Sequence, residues 1–255
     1  MISNFLEILI LSIIQGISEF IPVSSSAHLI IFSNVINFSN KSLIFDVGLH
    51  LGSLLAIIYY FKKELLNISN DKKLFNLLII GSVPLILVGY IFYTTGIINS
   101  FRNLKVIAWT TLIFCILMYF ADTFKIKKNI EKDLTIKNIL IIGILQVLAI
   151  IPGVSRAGIT ITAGRFLNFD RYDSTKISFY LSIPALMGAS VLSLKDAVNE
   201  NLEFNLFLIF SIILSFIFSY LTIKYFLIYT KKFSLKFFVI YRIILSIIIF
   251  SIIYY

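Results

Sequence analysis

The sequence predicts an all-α polytopic membrane protein with six transmembrane helices and two re-entrant helical hairpins arranged as an inverted repeat. Three observations carry the prediction. The composition is apolar, long apolar runs alternate with basic connections, and two apolar runs are broken in mid-course. The 255 residues are 59% hydrophobic and 14% charged, with a mean hydropathy of +0.97. A soluble domain sits near about 45–50% apolar and about 25% charged. This chain has too few polar side chains to cover a water-facing surface, so lipid must be its solvent.

The elements follow in order. A spanning helix needs about 20 apolar residues, and runs over 45–61, 74–93, 104–120, 177–194, 204–223 and 235–255 meet that need within a few residues. The run over 5–32 is interrupted by Pro22 and by Ser24, Ser25 and Ser26, and the run over 139–166 by Pro152 and Gly153 ahead of Ser155 and Arg156. In hydrocarbon, each backbone group unpaired at such a break costs several kcal/mol, so breaks survive only inside protein or beside a wet cavity. Both runs are therefore read as re-entrant hairpins whose tips meet within the bundle. No basic region or small-residue cleavage site marks the first run as a signal peptide, and it is expected to stay in the mature chain.

The net charge of +9 falls mostly in loops. Lys62, Lys63, Lys72 and Lys73, then Lys125, Lys127, Lys128, Lys132 and Lys137, then Lys224, Lys231, Lys232 and Lys236 mark three cytoplasmic connections under the positive-inside bias. Both termini then lie outside, with the first hairpin entering from outside and the second from the cytoplasm. Basic residues scattered between apolar spans do not build a nucleic-acid surface. Cys115 stands alone in an apolar run, cannot form an intrachain disulfide and is read as packing. His28 and His50 make no metal pattern by spacing alone.

A weak internal repeat accompanies this topology. Gln15 precedes Ser24 by nine positions and Gln146 precedes Ser155 by nine, each interval holding a proline. The chain is read as one membrane domain over 1–255 with halves of about 1–125 and 130–255. Each half has one hairpin and three spans, an odd number, which turns the halves upside down to each other.

Chemistry concentrates at the two breaks. Gln15 and Glu19 are four apart and share a helix face, Pro22 ends that helix, and Ser24 is placed to cap the next. Ser25 and His28 are three apart on the new helix, which puts a hydroxyl and an imidazole on one face. A carboxylate at membrane depth costs about 2.5–3.5 kcal/mol on insertion scales, so Glu19 is a functional candidate by default. At the second break Gly153 allows close backbone approach, Ser155 caps, and Arg156 brings a permanent cation with a planar donor fork suited to phosphate oxygens. An arginine at a helix start opposes the dipole, so an anion should offset it: a substrate phosphate, or Glu19 in a salt bridge. If the tips meet, they make a phosphate site in which Gln15 and Glu19 offer oxygens to a hard cation such as Mg²⁺ or Ca²⁺. Asp46, His50 and Ser53 are read as structural, and Arg165, Asp170, Arg171 and Asp173 as surface pairs.

At the motifs running from Gln15 to His28 and from Pro152 to Gly158 the chain resembles the undecaprenyl-diphosphatase family, polyprenyl diphosphate phosphatases linked to bacitracin resistance. The resemblance covers nearly the whole chain. It implies hydrolysis of undecaprenyl diphosphate to the monophosphate and inorganic phosphate, recycling the carrier lipid of peptidoglycan synthesis. It also implies a divalent cation, Mg²⁺ or Ca²⁺, and a site open to the outer face of the bacterial inner membrane. By motif position Glu19, Ser25, His28 and Arg156 are the expected catalytic residues. Ser24, Ser26, Gly153, Ser155 and Thr160 are expected to bind substrate, and Glu19 and Gln15 to hold metal. Gln15 stands at a position that is Glu in some members and Gln in others. The nucleophile is left open among Ser25, His28 and a metal-bound water. The expected partners are the membrane and a polyprenyl diphosphate lipid, with a homodimer left open. The alternative function is a polyprenyl-phosphate transporter or flippase, which mid-depth broken helices also suit.

Overall fold

A computed structural model describes the main chain over residues 2–35, 43–68, 72–199 and 206–254, and side chains over 5–32, 47–67, 72–198 and 206–254. Twelve α-helices follow one another there: α1 (Ile2–Ser18), α2 (Ser25–Val35), α3 (Leu43–Tyr60), α4 (Lys62–Ile68), α5 (Lys72–Thr95), α6 (Leu104–Asp122), α7 (Ile130–Asp133), α8 (Ile136–Gln146), α9 (Arg156–Phe166), α10 (Arg171–Asn199), α11 (Leu206–Lys232) and α12 (Lys236–Tyr254). Short 3₁₀ turns cover Ile97–Phe101 and Val147–Ile150, and the described residues contain no strand, only an isolated bridge between Lys128 and Phe169.

The protein is an all-α, multi-pass membrane protein. Helices α5, α6, α10, α11 and α12 are long and apolar enough to cross a membrane. The expected span over 45–61 coincides with α3, within which Val47–Tyr60 is apolar. The two interrupted runs fold as helix–break–helix units, α1 with α2 and α8 with α9. Helix starts carry their own acceptors. Asn103 Oδ1 accepts from Val106 N at 2.9 Å and Thr135 Oγ1 from Asn138 N at 3.3 Å. Such caps satisfy N–H groups that have no partner inside the helix.

Close helix approach depends on small residues. A Cβ on Gly52 of α3 would lie 2.5 Å from the Ile212 carbonyl of α11, and one on Gly16 of α1 would lie 2.6 Å from Phe218 Cβ. Ser211, Ser215 and Ser219 recur every fourth residue on α11. Ser53 meets Ser215 and Ser219 at 3.2 and 3.0 Å, and Ser215 Oγ donates to the Leu49 carbonyl at 2.7 Å. This is small-residue packing glued by hydroxyls, and it agrees with the structural reading of Ser53. The largest apolar cluster carries Phe20 from the first break, which packs edge-on to Phe179 of α10 with centroids 5.4 Å apart. The tip is thereby anchored to the bundle.

One expectation is corrected at the opposite end of α9. Arg165 is buried and Arg171 keeps 32% of its side chain exposed, and both converge on Asp122, the last residue of α6. Arg171 donates twice to the Asp122 carboxylate, at 2.6 and 3.1 Å. The α12 start adds Leu235 N at 3.1 Å, and Arg165, 2% exposed, donates to the carbonyls of Asp122, Phe124 and Phe169. Asp173 accepts from Ile130 N at 2.9 Å, and Asp170 from Asp173 N at 2.6 Å. The physical reason is that five helix ends meet here, those closing α6 and α9 and those opening α7, α10 and α12, and their orphan carbonyls and N–H groups need charged partners once water is excluded. Asp122→Ala removes the carboxylate that both guanidinium groups face. Such a loss costs about 3–5 kcal/mol when the pair is buried. The expected result is a clear drop in the thermal midpoint of the detergent-solubilised protein, measured against Asp122→Glu.

Candidate functional site

The first break begins as α1 runs out. Glu19 N still donates to the Gln15 carbonyl at 2.9 Å, a tight turn closes with Val23 N to the Ile21 carbonyl at 2.8 Å, and Pro22 within it supplies no donor. Ser24 then takes a left-handed φ of 78°, its Oγ accepts from Ala27 N at 3.4 Å, and α2 starts. The second break follows the same logic. Gly153 has φ 91°, Ser155 has φ 71°, and Ser155 Oγ accepts from Gly158 N at 3.1 Å as α9 starts. Outside glycine, such φ values cost about 1–3 kcal/mol and persist where the surroundings enforce them. Both capping serines carry this strain immediately before a helix N-terminus.

The two tips enclose a cavity of about 200 Å³. Its polar wall is Ser18, Glu19, Ser24, Ser25, Ser26, His50, Ser155 and Arg156. Its apolar wall comes from Ala149 and Ile150 and from α5 and α10, through Leu85, Ala185, Leu186 and Ala189. Helices α5 and α10 carry Pro84 and Pro184 beside those wall residues. Each proline leaves the carbonyl four residues earlier without its helical donor.

Glu19 is the hub. Arg156 Nη2 reaches Glu19 Oε1 at 3.0 Å and the Glu19 carbonyl at 3.3 Å, while Arg156 Nη1 donates to the Ser178 carbonyl at 3.1 Å. Glu19 Oε2 accepts from Ser25 Oγ at 2.8 Å and from Gln15 Nε2 at 3.0 Å. Both charged side chains are about nine-tenths buried, at 10% and 11% exposure. The tips are thus joined by a buried ion pair with a hydroxyl on its carboxylate. The N-termini of α2 and α9 flank the cavity, and both favour an anion.

Several expected residues sit elsewhere. His28 does not meet Ser25. Its Nδ1 donates to the Ser24 carbonyl at 2.6 Å, which in the neutral ring leaves Nε2 to accept from Tyr241 Oη of α12, also 2.6 Å away. The rings stack at 5.7 Å. Tyr241 draws the imidazole to the α12 side of α2, whereas Ser25 Oγ is bonded back to Glu19. Gly153 is not among the cavity-lining residues. It packs on α6, where a Cβ would lie 2.8 Å from the Ile107 carbonyl. Thr160 is buried, bonding the Arg156 carbonyl at 2.8 Å and Ser178 Oγ at 2.7 Å, so its hydroxyl steadies α9 on α10. His50, read as structural, lines the cavity. The Asp46 side chain lies outside the described residues.

The sequence reading missed Arg242. It lies within the apolar run over 235–255, is fully buried, and donates to the carbonyls of Pro22 at 3.4 Å, Gly153 at 2.7 Å and Val154 at 3.2 Å. One guanidinium on α12 therefore ties both tips together from behind. A lone arginine in a spanning segment is itself a signal, and it was available in the sequence.

The family model described as bacitracin resistance protein BacA matches residues 8–248. The chain is 59% identical over 255 residues to an undecaprenyl-diphosphatase of Pelagibacter ubique (strain HTCC1062), covering 100% of both chains. It is 39% identical over 208 residues to one from Alteromonas mediterranea, covering 76% of this chain and 78% of the relative. It is 41% identical over 198 residues to one from Elusimicrobium minutum, covering 73% and 75%.

Proposed function

The chain belongs to the bacitracin resistance protein BacA family, and from that premise and the cavity between its tips we propose that it is an undecaprenyl-diphosphatase. It hydrolyses undecaprenyl diphosphate to the monophosphate and inorganic phosphate. The observation that carries the reading at the level of residues is the Ser25–Glu19–Arg156 chain, a hydroxyl at 2.8 Å from a carboxylate that is held at 3.0 Å by an arginine.

The diphosphate head enters among the serines, with the N-termini of α2 and α9 facing its oxygens and the prenyl chain along the apolar wall. Arg156 turns from Glu19 to the terminal phosphate, where its planar fork matches two oxygens. Glu19, released from Arg156, keeps its Oε2 on Ser25 Oγ at 2.8 Å, in place to take that proton. Ser25 Oγ attacks the terminal phosphorus and its proton passes to Glu19 Oε2. The bond from that phosphorus to the bridging oxygen breaks, and polyprenyl monophosphate leaves with the bond's electron pair. Water then attacks the phosphoserine on phosphorus, Glu19 returns its proton to Ser25 Oγ, and inorganic phosphate departs. Positioning and charge stabilisation supply the catalysis, as in other phosphoryl transfers.

In this proposal His28 is a positioning residue, pinning the Ser24 carbonyl and so the start of α2. The setting proposed is the bacterial inner membrane, with α3 as a sixth span, α1–α2 and α8–α9 as re-entrant hairpins, and the cavity open to the outer face. The basic loops support that orientation. The halves are proposed as an inverted repeat, supported by the capping serines with left-handed φ nine positions after Gln15 and after Gln146.

The test is phosphate release by the purified protein from a polyprenyl diphosphate in detergent with Mg²⁺ or Ca²⁺. Ser25→Ala is expected to lower turnover by about 10³-fold or more, as loss of an activated nucleophile does. His28→Gln is expected to stay within about tenfold of wild type, since it loses only positioning. A folded His28→Gln that is as inactive as Ser25→Ala would transfer the proton-accepting role to His28. Lipid movement across vesicles without any phosphate release would favour the transporter.

A further inference from the structure

We propose that this chain holds no resident divalent cation and admits the cation only together with the substrate, as a metal–diphosphate complex. The proposal rests on the phosphatase reading above and concerns the order in which its components assemble.

The residues expected to hold a metal do not fit one as they stand. Among the described residues, Glu19 is the one carboxylate lining the cavity, and no group of three or more His, Cys, Asp or Glu side chains gathers anywhere. Both Glu19 oxygens are engaged: Oε1 with Arg156 at 3.0 Å, and Oε2 with Gln15 at 3.0 Å and Ser25 at 2.8 Å. A cation landing on that carboxylate would have to displace these donors and face the Arg156 guanidinium.

Gln15 is the residue that decides the matter. A glutamate here would set a second carboxylate one helical turn before Glu19, and two carboxylates would hold a hard cation between them. Glutamine instead turns its amide N–H toward Glu19 and acts as a donor to it. Its Oε1 is left buried and without a hydrogen-bond partner. The pair Gln15 and Glu19 is therefore internally satisfied on one side and offers a single neutral oxygen on the other.

The formal charges of Glu19 and Arg156 cancel. A diphosphate brings several negative charges into this wall, and once Arg156 has turned to it, Glu19 stands against phosphate oxygens with like charge. A divalent cation removes that conflict only when the phosphate oxygens are present to complete its shell. This matches the habit of Mg²⁺, which binds through one or two carboxylates and substrate phosphates rather than in dedicated protein cages. The Gln15 Oε1 atom is the neutral oxygen that such an ion, or its water, would meet.

The experiment is a calorimetric titration of Ca²⁺ into the purified full-length protein in detergent, alone and with a non-hydrolysable polyprenyl methylenediphosphonate. The blank is the same analogue without protein. The wild type alone is expected to show no saturable binding below about millimolar, the weak end of protein calcium sites. With the analogue it should bind one ion per chain, at least about tenfold tighter than the analogue binds it by itself. Gln15→Glu should gain saturable Ca²⁺ binding without the analogue. One tight ion on the wild type alone, unaffected by the analogue, overturns the proposal. So does absence of any ion in the presence of bound analogue. Both deciding arms use the wild type, so the proposal does not depend on how well the variant folds. Phosphate release from the same preparation separates the two readings: release with a resident ion removes this inference alone, whereas absence of release with every cation removes the phosphatase reading.

Discussion

Arg156→Ala is expected to abolish nearly all phosphate release, with kcat/KM falling by about 10²–10³-fold or more, the range for losing a pre-organised group that stabilises transition-state charge. The size of the effect follows from what the side chain does. Its Nη2 binds both the carboxylate and the carbonyl of Glu19, and its Nη1 binds the Ser178 carbonyl, so one guanidinium sets the distance between the two tips. In the reaction it is the donor that leaves Glu19 for the transferring phosphoryl group. Arg156→Lys keeps the charge but loses the fork, and should recover only part of the rate. Removing Arg156 also strands Glu19, a carboxylate 10% exposed, without its counter-ion. A drop in stability should therefore accompany the drop in rate. The double variant Arg156→Ala, Glu19→Gln separates the two, because it should regain thermal stability and remain inactive. A folded Arg156→Ala with kcat/KM within a few-fold of wild type would remove Arg156 from the site.

Arg242→Met is expected to be as damaging by a different route. Methionine fills comparable space, yet it leaves the carbonyls of Pro22 and Val154 without the Arg242 donor and that of Gly153 with Thr111 Oγ1 alone, at 3.5 Å. Each orphaned buried acceptor costs about 1–3 kcal/mol, and the sum is a large part of the roughly 5–15 kcal/mol that holds a typical protein folded. Lysine carries one compact ammonium on a flexible stem and does not reproduce a planar fork that spans two tips. The expected outcome for Arg242→Met is low recovery from the membrane and a thermal midpoint well below wild type in the same detergent. Whatever folds should have little activity, because Glu19 and Arg156 are aligned across the tips that Arg242 joins. Wild-type stability and activity in a well-expressed Arg242→Met would show that the tips are held by packing alone.

These two arginines differ in how visible they were in the sequence. Arg156 follows a proline and glycine break, and an arginine at a helix start asks for an anion. Glu19 was the acidic residue at the matching break, so their pairing was readable from charge economy. Arg242 lies in an apolar run with no break beside it. Its partners are backbone carbonyls 220, 89 and 88 positions away, and no side-chain pattern announces a carbonyl.

The same contrast separates the other residues. Ser24 and Ser155 were legible as caps because a cap is a local bond within three residues of sequence. His28 was assigned to Ser25 because three-residue spacing puts two side chains on one helix face. Spacing does not say what stands opposite that face, and Tyr241, 213 positions away, took the imidazole. Arg165, Asp170, Arg171 and Asp173 read as surface pairs because they lie near helix ends. Five such ends converge around Asp122, which buries Arg165 and Asp173 and leaves Arg171 only partly exposed.

The sequence by itself determined the lipid solvent, the sites of the two breaks, the helix-capping serines and the two charges at those breaks, Glu19 and Arg156. These follow from composition and short-range bonding, which are properties of contiguous chain. Only the tertiary structure decided which hydroxyl meets the Glu19 carboxylate, that Gln15 serves it as a donor, and that Arg242 binds the two tips. Those choices depend on which helix faces oppose one another, and that is set by the close approach of small residues such as Gly16, Gly52 and Ser215 across segments far apart in the chain.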